Sequence, residues 1–247
     1  MPLEYLRLLT GSERSQPYNR HLALFLAFIA GAANAGGFLA VHQYTSHMSG
    51  IVSAMADNVA LGGMLAFASG VASLAAFVAG AATTAALVNW ARRRRLHSEY
   101  ALPLMLEAML LLAFGLLGGH LEMLRWLFDP VTVLLLCFTM GLQNAIITKI
   151  SHAEIRTTHV TGMVTDIGIE LGKLIYWNRS GHLPPELEVK ADRRKLLLLT
   201  ALVGLFFFGG LVGALGFKHV GFIVTVPLAL LLIVLAVMPV WDDITGR

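Results

Sequence analysis

The sequence predicts an all-α polytopic membrane protein with about six transmembrane helices plus two short re-entrant or broken helices in an inverted internal repeat. Three observations carry this prediction. The chain of 247 residues is 57% hydrophobic and only 13% charged, against roughly 25% charged in a soluble domain. Its apolar residues gather in six long runs. A polar pattern, T-[ST]-H-x-[ST]-G-x-V-[ST], occurs once in each half of the chain.

Residues 1–20 are polar and basic. They lack the apolar core of a cleavable signal and read as a cytoplasmic tail. The runs 22–41, 67–88, 102–118, 131–147, 196–217 and 222–240 are each about long enough to cross a hydrocarbon core of roughly 30 Å as a helix. Two shorter, more polar stretches, 51–65 and 160–175, carry the two copies of the pattern. The implied organisation is the tail 1–20, a first repeat 21–120 and a second repeat 121–240, with a closing tail 241–247. Each repeat holds three spans and one motif segment, 45–65 in the first and 157–175 in the second. A cytoplasmic linker, 176–195, interrupts the second.

Charge placement fixes the number of crossings. The chain has 18 Lys and Arg. If all eight hydrophobic stretches crossed, they would split 11 to 7 across the membrane. If only the first or only the second motif segment crossed, the split would be 13 to 5 or 10 to 8. If neither crossed, only Arg125 and Lys218 would lie outside, against 16 inside, with both termini cytoplasmic. The positive-inside rule selects the last arrangement. Stretches near 15 residues are also short for a span, and irregular backbone at membrane depth must be buried in protein or line a cavity. Three crossings per half is odd, so the two halves are predicted to lie in opposite orientations.

The copies align residue by residue. Thr45 meets Thr157, Ser46 meets Thr158, His47 meets His159, Ser49 meets Thr161 and Gly50 meets Gly162. Upstream, Phe28-x-x-Gly31-x-x-Asn34-Ala35 is matched by Phe138-x-x-Gly141-x-x-Asn144-Ala145. Further on, Phe77-x-x-Gly80 is matched weakly by Phe207-x-x-Gly210. The segments GSERSQPYNRHLALFLAFIAGAANAGGFLA, YTSHMSGIVSAMADNVALG, MGLQNAIITK and TTHVTGMVTDIGIELGK together resemble the YoaK family of bacterial inner-membrane proteins, whose domain is of unknown function. That resemblance covers nearly the whole chain. It implies an inner-membrane protein of about six spans and supplies no substrate.

The motif heads are the candidate substrate-binding residues: Thr45, Ser46, His47 and Ser49 with Thr157, Thr158, His159 and Thr161. A hydroxyl at a helix start caps it, and the free N–H groups there favour a polar or anionic group. The competing reading leaves the hydroxyls as caps only, with the histidines bonded to backbone. Asn34 and Asn144 are expected to brace each span to its own motif segment, with solute contact second. Gly50 and Gly162 are expected to permit close backbone approach, and Gly36 and Gly37 to end the first span early. Asp57, Glu107, Asp166 and Glu170 are the proton-coupling candidates, since ionisable groups at membrane depth usually face an interior or a water path. Structural hydrogen bonds are the alternative. Asp166 and Glu170 share a helix face, and Lys173 is placed to pair with Glu170.

Other chemistries find little support. The single cysteine, Cys137, lies in an apolar run, so neither a disulfide framework nor a CxxC metal or redox site is expected. The net charge of +3 comes from loops beside spans and does not imply nucleic acid. There is no HExxH, no serine elbow and no histidine pair at i, i+4. No enzyme activity, cofactor or metal is expected. The expectation is an inner (plasma) membrane protein of a bacterium, multi-pass, acting as a small secondary transporter or channel-like permease. Its solute would be small and polar or anionic, with proton coupling as an addition. The expected partners are the lipid bilayer and the solute, with a homo-oligomer left open. A membrane-embedded enzyme and a non-catalytic scaffold or accessory protein are the rival readings.

Overall fold

A computed structural model describes residues 2–11, 16–118, 125–150, 158–176 and 189–246. Among the described residues the chain is helical, with no strand. The helices are α1 (Pro2–Thr10), α2 (Gln16–Val41), α3 (Met48–Ala60), α4 (Met64–Arg93), α5 (Ala101–Gly118), α6 (Arg125–Ile150), α7 (Val160–Ile175), α8 (Arg193–His219) and α9 (Thr225–Thr245). A 3-10 turn at Gly221–Val224 leads into α9. Six of these helices, α2, α4, α5, α6, α8 and α9, are long and apolar enough to cross a membrane. The two motif segments are the short ones. At 13 and 16 residues, α3 and α7 extend about 20 and 24 Å, less than a hydrocarbon core of roughly 30 Å.

Two close seams hold the bundle together. In the first, α2 lies on α8: Gly31 faces the Phe206 carbonyl, Gly209 faces the Phe28 carbonyl, and Gly213 lies on Ala32. In the second, α4 lies on α6: Gly80 faces the Phe138 carbonyl and Gly141 faces the Phe77 carbonyl. Thr84 adds a hydrogen bond from its Oγ1 to the Leu142 carbonyl at 2.9 Å. Backbones approach this closely only where no Cβ stands between them. Gly209 and Gly213 thus serve packing within the chain. A third pairing sets α5 against α9.

The seams correct the register of the weaker sequence match. Phe77 takes the place that Phe206 takes, and Gly80 the place of Gly209, one residue before the Phe207 and Gly210 of the sequence alignment. Three consecutive phenylalanines, 206–208, make the sequence match ambiguous. Packing resolves it, since Phe207 is 71% exposed and points away from the bundle.

Two further expectations change. Gly36 and Gly37 do not end the first span, because α2 continues to Val41 and turns only at His42, whose φ is 54°. These glycines are instead docking points, where a methyl group would meet the Phe217 ring and the Leu136 side chain. The N-terminal segment is also more than a polar tail. Helix α1 docks on α9, burying Leu9 completely. Thr10 Oγ1 donates to the Leu235 carbonyl at 2.8 Å, and the Arg7 guanidinium grips both oxygens of Asp242 at 2.7 and 2.8 Å. Linker residues 177–188 lie outside the described residues.

Candidate functional site

The motif helices begin in the same way. His47 is the N-cap of α3, with φ −91° and ψ 68°, and His159 is the N-cap of α7, with φ −83° and ψ 56°. Neither helix start receives a side-chain capping bond. This corrects the expectation that the motif hydroxyls cap the helices. Ser46 and Thr158 stand one residue ahead of the cap and turn toward the preceding span. Ser46 Oγ donates to Asn34 Oδ1 and Thr158 Oγ1 donates to Asn144 Oδ1, each at 2.9 Å. Asn144 Nδ2 donates in turn to the Met140 carbonyl at 2.8 Å, which orients the amide. The asparagines therefore brace each span to its own short helix.

The motif glycines have a specific task. A methyl on Gly50 would strike the His47 ring, and one on Gly162 would strike the His159 ring. Each glycine lets the cap imidazole fold back over the first helical turn. The close approach is thus to the motif's own side chain, where backbone had been expected.

The two helix starts share one cavity of about 1030 Å³. From the first copy it is lined by Asn34, Ser46, His47 and Ser49, and from the second by Asn144, Thr158, His159 and Thr161. Phe77 and Phe206, the equivalent rings of the two glycine seams, also line it, as do Tyr44, Thr148 and Lys149. Eight of the ten candidate binding residues are brought together here. Thr45 is not among them: it is fully buried and its Oγ1 has no hydrogen-bond partner. Thr157 lies outside the described residues. Sequence placed none of Phe77, Phe206 and Lys149 at the site, although Phe77 entered the repeat match. The F-x-x-G pattern was the available signal for the rings, whereas Lys149 had been counted only as a loop charge.

The acidic candidates stand apart from the cavity. Asp57 is exposed on α3. Asp166 pairs with Lys195 Nζ at 3.2 Å. Glu170 is buried and accepts from Lys173 Nζ at 2.8 Å and from the Asp192 backbone amide at 2.7 Å. These donors, Lys173 first, hold its carboxyl below the usual carboxylate range. Asp192 is the N-cap of α8, accepting from the amides of Arg194 and Lys195 at 2.9 and 3.0 Å. The Lys195 amide is the main reason its carboxyl is also held low. Asp166 and Glu170 thus fasten α7 to the start of α8. Glu107 is fully buried in α5 and accepts from Gln143 Nε2 at 2.7 Å. Among the described residues, no three His, Cys, Asp or Glu side chains gather as a metal site would require.

Neither the comparison with curated proteins nor that with solved structures gives a match. A family model described as "Protein of unknown function (DUF1275)" matches residues 22–238, a span that includes both motif helices and both glycine seams. The chain belongs to this family, the YoaK-like one that its motifs resemble.

Proposed function

We propose that the protein is a small secondary transporter or channel-like permease whose solute binds between the two motif heads. The observation that supports this most is the shared lining: equivalent residues of both copies surround one cavity of about 1030 Å³. Pockets for small molecules usually fall near 300–1,000 Å³ and combine apolar walls with a few convergent polar groups. Here Phe77 and Phe206 supply the walls, and paired imidazoles and hydroxyls supply the polar groups. Two helix starts without side-chain caps and the nearby Lys149 favour a polar or anionic solute.

The two halves form an inverted repeat in this reading, with α3 entering from one side and α7 from the other. The matching Ser46–Asn34 and Thr158–Asn144 bonds support that equivalence. The protein sits in the bacterial inner membrane with both termini cytoplasmic, which keeps Arg92 to Arg95 inside. Accessibility labelling of a cysteine introduced beside Arg94 tests this orientation, and reaction with an impermeant reagent from outside intact cells contradicts it.

Solute uptake is tested in proteoliposomes against a panel of small anions and polar metabolites. The variants His47→Ala and His159→Ala are expected to lower uptake at least tenfold while remaining folded. If both variants move the solute at the wild-type rate, the central-site reading fails.

A further inference from the structure

Glu107 and Gln143 present a matched pair of deficiencies. Glu107 is 0% exposed, and its Oε1 accepts from Gln143 Nε2 at 2.7 Å. The same Nε2 also lies 3.4 Å from the Leu26 carbonyl, an acceptor in either state of the carboxyl, and this fixes the amide with its nitrogen on that side. Two oxygens are left buried with no partner: Glu107 Oε2 and Gln143 Oε1. Buried polar atoms are nearly always satisfied, yet both of these are acceptors when the carboxyl is ionised. One hydrogen on Oε2 would turn the first orphan into a donor for the second.

The surroundings favour the neutral form. A bare carboxylate buried in an apolar helix bundle carries a large desolvation cost. Among the described residues no charged group is paired with it. On α9, Asp242 is bound to Arg7 and Asp243 to His97. On α4, Arg92 is bound to Glu99. On α6, Lys149 lines the cavity, and on α2, His21 is bonded to Tyr5. Among the described residues the hydrogen-bond partner of Glu107 is the neutral Gln143 amide, and Arg20, Arg93 and Asp129 form no ion pair or hydrogen bond with it.

We propose that Glu107 is a proton-binding site: its carboxyl carries a proton on Oε2 and donates it to Gln143 Oε1, closing a two-bond acid–amide ring between α5 and α6. The step is a simple protonation, in which one H⁺ is taken up and the side-chain charge goes from −1 to 0. Its loss sets a carboxylate oxygen against the amide oxygen and opens the ring. Gln143 is followed by Asn144, which holds Thr158 at the start of α7, so occupancy of the proton site reaches the cavity through adjacent residues of one helix. That consequence, with the proton as the coupling ion, deepens the permease reading and rests on it.

Infrared spectroscopy of the purified protein, in a detergent free of ester groups, tests the proposal without any solute. Wild-type protein in neutral buffer is expected to show the carbonyl stretch of a protonated carboxylic acid, with a deuterium shift. Glu107→Gln, which can form the corresponding amide–amide ring, is expected to lose that band. Absence of the band in the wild type, or its persistence in a folded Glu107→Gln protein, overturns the proposal. If Glu107→Gln does not fold, Gln143→Leu serves instead: the band must move to the position of an acid without a hydrogen-bonded partner, and an unmoved band overturns the proposal. A protein that shows the band but moves no solute defeats only the permease reading, whereas one that moves solute without the band defeats only this inference.

Discussion

Replacing Gly141 by alanine tests whether the seam between α4 and α6 is as tight as described. The new Cβ would lie 3.0 Å from the Phe77 Cα and closer still to the Phe77 carbonyl. Carbon atoms pack at about 3.5–4.0 Å, so the helices must part by roughly half an ångström or more. Overpacking of this kind costs about 1–3 kcal/mol. Separation also weakens the bond from Thr84 to the Leu142 carbonyl, worth about 1 kcal/mol. Alanine regains about 1 kcal/mol of helix propensity over glycine. The net expectation is a loss of about 1–3 kcal/mol, or roughly 2–12 °C in melting temperature for a chain of this size. Gly204→Ala, on α8, is the control: nothing lies within 4 Å of its Cβ, so only the propensity gain of about 1 kcal/mol remains. Thermal melting of the detergent-purified protein, followed by circular dichroism, measures both. A Gly141→Ala protein that melts at or above the wild-type temperature would refute the tight seam.

Three further outcomes are expected. Thr45→Val removes a buried hydroxyl that has no partner and should stabilise the protein by about 1 kcal/mol, read as a higher melting temperature; a lower one would mean that the hydroxyl is satisfied. A double-mutant cycle of Asn144→Ala with Thr158→Ala should give a coupling of about 0.5–1.5 kcal/mol, and the Asn34–Ser46 pair should give a similar value; zero coupling in both would show that the braces do not form. Glu170 and Asp192 have carboxyls held low in the folded state, so their contribution is present above the ordinary carboxylate value near 4 and is lost as pH falls through their lower folded values. The variants Glu170→Gln and Asp192→Asn should therefore melt lower than wild type at neutral pH and show a shallower acid decline, and an unchanged acid profile would count against these bonds.

The spans and the repeat were legible because they depend on properties summed along the chain. Hydropathy marks each run, and the brevity of 51–65 and 160–175 sets the motif segments apart from the six long ones. The braces could be read as well, since Asn34 and Asn144 hold the same position before each motif. What was not legible depends on which side of a helix meets which neighbour. Any of Phe206, Phe207 and Phe208 could have matched Phe77, and only the seam decides. Residue spacing did not show which motif group would meet each asparagine, or that His47 and His159 would stand at the caps. The docking of α1 depends on Arg7 meeting Asp242, a pairing of chain ends that no local pattern encodes. The spacing of Leu6 and Leu9 was its only sequence trace.

The crossed seams have a consequence for biosynthesis. Helix α2 leaves the ribosome among the first spans, yet its glycine face is made to fit α8, the fifth. At about 5–20 residues per second, that face waits on the order of ten seconds or more for its partner. The first three spans cannot complete a bundle of their own, because α4 likewise pairs with α6 from the second half. A chain stopped after α5 would leave Gly31 and Gly80 facing lipid, open to unsuitable neighbours and to membrane quality-control proteases. Coexpressing the two halves as separate chains should rescue the first half from degradation.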